Sequence, residues 1–135
     1  MAESDGYILR IATKQWVDQV FDTACYYSGL HRKWKQGQTI IFLHKTELGD
    51  AAVGYGVVEK VHDKDELSEE EKLECEKHRW TKALEFSYVI KFEKPLLVKG
   101  TFLKKSKLRG KSFHGSSLSG KSIQRLISQT ERSPH

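Results

Sequence analysis

Long apolar runs are missing from this chain. No run, including residues 40–43 and 88–90, exceeds four residues, far short of the roughly 20 a helix needs to cross a bilayer, which excludes a membrane helix. Residues 1–6 carry Glu3 and Asp5 and lack the apolar core of a secretory signal, so a cytoplasmic protein is expected. Cysteine is scarce. Cys25 and Cys75 lie far apart and in no C-x-x-C pair, which argues against a disulfide framework and reads both as buried small hydrophobes. At 135 residues the chain suits one domain with a real core, expected over residues 1–130 with a flexible tail at 131–135, and leaves no room for a multidomain enzyme.

Acidic residues are absent from 94–125, a stretch that holds Lys94, Lys99, Lys104, Lys105, Lys107, Arg109, Lys111, Lys121 and Arg125. Residues 63–76, in contrast, hold eight acids against Lys64 and Lys72. The overall charge of +5 therefore averages an acidic segment of −6 and a remainder of +11. A polyanion is the partner such a remainder fits, by way of a phosphate-tracking surface.

Residues 6–12 favour β structure, and Thr13 offers an oxygen to cap a helix in which Trp16, Val17, Val20, Phe21, Ala24 and Cys25 recur at helical spacing. Gly29 breaks the pattern, so residues 26–36 read as a loop. Residues 39–44 and 51–61 form a hairpin turning at 47–50, with Gly54 and Gly56 marking a bulge or a close backbone approach. Ser68 and Glu71 form a capping box for an acidic surface helix that ends near Trp80. Residues 84–92 alternate with Leu84, Phe86, Tyr88, Ile90 and Phe92 on one face, and Pro95 is expected to end that strand before a short one at 96–98. Ser119 caps a last helix burying Ile123, Leu126 and Ile127, and the chain frays from Thr130. The order gives an α+β fold, a mixed pseudo-barrel of five to six strands with about three flanking helices.

Residues 115–122 match G-x-x-x-x-G-K-[ST], but the segment before them is polar and basic, so the buried strand that launches a phosphate loop is missing. No nucleoside triphosphate is expected. What remains is a helix start with Lys121 beside it, a place for a nucleic-acid phosphate. Cys75 and His78 have C-x-x-H spacing yet cannot complete a zinc site alone, so neither metal nor cofactor is expected. No nucleophile elbow is visible and no catalytic residue is assigned. Tyr26, Tyr27 and Trp34 lie among His31, Arg32, Lys33 and Lys35, and Trp80 lies beside His78 and Arg79, rings next to positive charge as stacking on exposed bases requires.

The run Gly37-Gln38-Thr39-Ile40-Ile41-Phe42-Leu43, a turn, and then Gly54-Tyr55-Gly56-Val57-Val58-Glu59-Lys60-Val61 resembles the central hairpin of PUA-like domains of the EVE and YTH branches, with a strand and helix preceding it as there. The resemblance extends loosely over residues 6–127. It implies a pseudo-barrel that binds RNA or DNA, RNA ahead of DNA, with a pocket for a flipped, modified base. By position, Thr13, Lys14, Tyr26, Tyr27, Ser28 and Trp80 fall near that pocket, beside the first helix and central hairpin. A tyrosine stands where YTH domains carry tryptophan. Arg32, Lys33, Trp34, Lys104, Lys105, Lys107, Arg109, Lys111, His114 and Lys121 complete the expected nucleic-acid surface. The ASCH branch includes small amidohydrolases of modified nucleosides marked by G-x-K-x-x-T-x-R, which residues 29–36 do not match. Such a hydrolase would draw on Lys14 or Lys45, Glu59 and Thr13. A third reading is an adaptor docking proteins through the acidic helix at 66–79 and the basic segment.

Overall fold

The computed structural model describes residues 5–30, 32–101 and 114–132. Strand β1 (Gly6–Arg10) leads to helix α1 (Lys14–Thr23), then β2 (Cys25–Ser28), the hairpin β3 (Thr39–Thr46) and β4 (Gly49–Asp63), helix α2 (Glu69–His78), the long β5 (Lys82–Leu97), the two-residue β6 (Ser117–Leu118) and helix α3 (Gly120–Arg132). The strands make one mixed sheet in the order β2-β5-β4-β3-β1-β6, parallel between β1 and β3 and antiparallel elsewhere. The α+β expectation, six strands and three helices, holds.

Neighbouring residues of a strand point to opposite faces, and the sheet is apolar on both. Leu9, Ile40, Phe42, Val58 and Leu84 face the side where α1 lays Val17 and Val20. Ile8, Ile41, Leu43, Ala52 and Phe92 face the side where α3 lays Ile123 and Leu126. The run 40–43 is apolar throughout because both of its faces are covered, and each such fully buried side chain contributes about 1.5–3 kcal/mol.

The helix boundaries follow the capping chemistry. The amide of Trp16 donates to the Thr13 hydroxyl at 3.3 Å and that of Glu71 to Ser68 at 3.2 Å. Ser119 caps α3 through the Ser122 amide, also at 3.2 Å. Helices α1 and α2 end at Ala24 and Arg79, both in the left-handed region at φ 54° and 60°. The last helix continues to Arg132, beyond the point where fraying was expected.

Four expectations need correction. Residues 26–28 are not loop: they belong to β2, held antiparallel to β5. Tyr88 and Ile90 are exposed (49% and 42%), because the β4–β5 register slips between Val57 and Val58, so that Val57 pairs with Tyr88 but Val58 with Phe86. The extra residue, Ser87, reverses the alternation and turns Val89 inward instead. Pro95 does not end β5, since it falls in a second irregularity between the Gly54–Lys91 and Ala52–Leu96 pairs, where no ladder amide is needed. Finally, the separate short strand expected at 96–98 is not formed, since Leu96 and Leu97 complete β5 and Val98 opens a 3-10 turn; the sixth strand is Ser117–Leu118, beside which the Ile8 amide donates to the Ser116 carbonyl at 2.8 Å and that of Gly115 to Ile8 at 2.7 Å.

Gly54 carries the close approach read from the sequence. A Cβ there would lie 2.5 Å from the Phe21 ring and against the Ile90 carbonyl, so the missing side chain is what lets α1 seat Phe21 on the sheet. Gly54→Ala should cost about 1–3 kcal/mol by overpacking, read as a lower urea midpoint with an unchanged slope.

Candidate nucleic-acid interface

A cleft of about 550 Å³ opens between α1 and α2. Helix α1 contributes Gln15, Trp16 and Gln19 and its cap Thr13, β2 contributes Tyr27, and the turn into β5 contributes Trp80. The remaining wall is α2, with Glu70, Glu71, Glu74, Lys77 and His78. The left-handed stops of the two helices set this arrangement: Ala24 turns the chain into the strand that bears Tyr27, and Arg79 delivers Trp80 one residue later.

The rings form a single cluster. Trp80 lies nearly parallel to His78 (4.3 Å, 22°) and to Tyr27 (5.3 Å, 16°), while Trp16 meets His78 and Trp80 edge-on at 5.5 and 5.6 Å. The Tyr27 hydroxyl donates to Glu71 at 2.8 Å, and Ser68 donates to the other oxygen of that carboxylate at 2.9 Å. Burial and the Glu71 bond push the Tyr27 phenol up, while the Tyr27 and Ser68 hydrogen bonds hold Glu71 below the usual carboxylate range. Glu71 is thus an anion at neutral pH, tied to the ring cluster. His78 lies 3.5 Å from Glu74.

Of the residues expected at a pocket, Thr13, Tyr27 and Trp80 line the cleft. Tyr26 lies behind them, in a small recess it shares with Trp16, Tyr27 and Trp80, where burial raises its phenol to about 12. Lys14 is exposed and faces Asp18 at 3.9 Å. Ser28 is buried and accepts from the Leu30 amide at 3.1 Å, so its role is to hold the turn. The central hairpin does not line the cleft; α2 does, a wall that sequence order left out. Its signal was the acidic run itself, which reads equally as a solvated helix face.

The other expected residues divide. Trp34 is a core residue: it packs edge-on to Tyr7 at 5.0 Å and donates to the Leu30 carbonyl, which leaves no face for a base. Arg32 donates to the Gly115 carbonyl at 2.8 Å, tying the segment after β2 to the one before β6, and Lys33 is exposed. The Nδ1 of His114 accepts from the Arg10 amide at 3.0 Å, a structural contact. Lys121 is exposed on α3, across the sheet from α1 and its cleft. The helix start beside it is not open to a phosphate, because the Gly120 amide donates to the Asp5 carboxylate at 2.7 Å and the Gly115 amide is bonded to Ile8. Lys104, Lys105, Lys107, Arg109, Lys111 and His31 lie outside the described residues.

The groups named for hydrolysis do not converge. Thr13 alone lines the cleft, while Glu59 accepts from Ser87 at 2.6 Å and Lys45 is exposed beyond it on β3. Burial raises the thiols of Cys25 and Cys75, so neither is a ready nucleophile.

Two measurements check these assignments. Tyr27→Phe removes one hydrogen bond and should cost about 0.5–1.5 kcal/mol, with the Glu71 carboxyl moving back toward its ordinary range in an NMR titration. Burial, then the charges of Arg32 and Arg10, lower the pKa of His114. The folded state therefore favours the neutral ring, so its contribution is complete above the unfolded value of about 6.5 and is lost as the pH falls through the folded one. His114→Asn keeps an acceptor for Arg10 and should flatten that acid limb of the urea midpoint.

No family model matches the chain, and no curated protein matches it. Among solved structures, the crystal structure of ASCH from Zymomonas mobilis superposes with a TM-score of 0.61 at 12% identity, covering 90% of this chain and 92% of that one. A Ser-to-Ala mutant of the same protein gives 0.64 at 12% identity, over 93% of this chain and 98% of that one. A Tyr-to-Phe mutant gives 0.59 at 12% identity, over 90% and 95%. The fold is therefore shared with these ASCH structures.

Proposed function

We propose that this protein is a nucleic-acid-binding module, RNA ahead of DNA, that takes an unstacked base into the cleft between α1 and α2 while its lysine-rich segment tracks the phosphates. The observation that carries this reading is the cluster of Trp16, Tyr27, His78 and Trp80 lining an open hollow. Ring faces are sequence-tolerant platforms for a base, worth about 1–3 kcal/mol each by substitution. Thr13, Gln15 and Gln19 add neutral donors and acceptors for a base edge. Phosphate belongs elsewhere, because three glutamates line the hollow, and the sequence offers nine cationic side chains without an acid between 94 and 125. Reading a base out of the stack is also what the EVE- and YTH-like order of elements implies. No catalytic step is required.

Fluorescence titration with short single-stranded RNA and DNA tests this. Affinity should fall with salt, the logarithm dropping by about 0.7 per phosphate contact. Trp80→Leu should weaken binding about tenfold, with circular dichroism showing the fold kept. Lys104, Lys105, Lys107, Arg109 and Lys111 changed together to Glu should abolish it. Undetectable binding of RNA and DNA at low salt would end the proposal, and release of product from an acylated cytidine would replace it with hydrolysis.

A further inference from the structure

The hollow is rich in negative potential, and a plain base does not use it. Among the described residues three carboxylates line it, Glu70, Glu71 and Glu74, against one ammonium, that of Lys77. Glu71 is fixed in place by Tyr27 and Ser68, whereas Glu74 is 62% exposed with His78 as its neighbour at 3.5 Å. The same hollow is lined by the rings of Trp16, Tyr27 and Trp80, whose π faces attract cations, tryptophan most strongly. A neutral base entering here desolvates carboxylates without compensating them, and an anionic group is repelled. A flat cation satisfies both walls.

Building on the base-binding reading, we infer that the cleft selects a nucleobase made cationic at neutral pH by methylation of a ring nitrogen, with the rings stacking on its plane and the α2 carboxylates facing its charge. Trp80 stacks with His78 and Tyr27 at 4.3 and 5.3 Å, within 22° and 16°, so a flat ligand would extend that stack at its outer face. A tetrahedral methylammonium would instead call for ring walls on several sides. The α1 side, with Thr13, Gln15 and Gln19, is uncharged and suits the exocyclic and ring donors of the base. Charge, rather than the methyl group as a shape, is the recognised feature.

The test uses the full chain and short single-stranded RNAs identical but for one central residue: adenosine, N6-methyladenosine (methylated and neutral) or 1-methyladenosine (methylated and cationic). The cationic base should bind about tenfold tighter than either neutral one, and that preference should shrink with added salt. Glu70→Gln with Glu74→Gln should cut the preference for the cationic base over the two neutral ones to about twofold, the ratio being read within the variant itself. Equal binding of all three RNAs, or a preference for N6-methyladenosine, overturns the inference and leaves base binding standing. Failure of every RNA to bind removes both. Tighter binding of a trimethyl-lysine peptide than of any RNA overturns it in favour of a protein ligand.

Discussion

Everything in this fold is registered on β1. Its five residues pair in parallel with β3 on one edge and with the segment 115–118 on the other, so the beginning and end of the chain are locked into one ladder. The strand feeds both cores, Leu9 under α1 and Ile8 under α3, and it launches α1 three residues after it ends. Cross-links of distant sequence gather at its ends: Asp5 receives the Gly120 amide, and Arg10 holds Asp50 at 3.2 Å while its own amide meets His114. A change in this strand is felt on both faces at once, because neighbouring residues serve different layers.

Charge is distributed with the same economy of place. Five of the eight acids of 63–76 are on α2, the helix that walls the cleft, and α3, with Lys121 and Arg125, covers the opposite face of the sheet. The hollow is therefore an anionic, aromatic environment within a chain that is cationic overall. A ligand drawn by the net charge and a ligand held by the hollow need different chemistry at different parts of one molecule, as a phosphodiester strand bearing a ring does.

The elements legible in the sequence were those written in local chemistry. Thr13, Ser68 and Ser119 mark three helix starts by hydrogen bonds that depend on neighbours within four residues. The hairpin and Gly54 were readable for the same reason, whereas the expected placing of Thr13, Tyr27 and Trp80 near one pocket came from the family resemblance and not from local chemistry. The misses are non-local. The register slip at Ser87 turns Tyr88 outward through pairing with β4, and a period of two cannot reveal it. Strand β6 exists only because β1 offers an unpaired edge to a serine-rich segment that has no β preference of its own. Trp34 and Trp80 stand in similar basic surroundings in sequence, yet one lies against Tyr7 in the core and the other lines the hollow, a difference set by tertiary packing. The acidic wall was visible as composition but not as a wall, since nothing in the run 63–76 says which element it faces.

Ala24 and Arg79 stop their helices in a backbone conformation that residues with side chains seldom adopt, and each stop lies within three residues of an aromatic group of the hollow. Such short tethers leave no slack: Tyr27 is anchored in a ladder on one side and Trp80 follows its helix by a single intervening residue. The backbone carrying these two rings is thereby set by the ladder and by the helix stop. The dimensions of the hollow are thus decided where the two helices terminate.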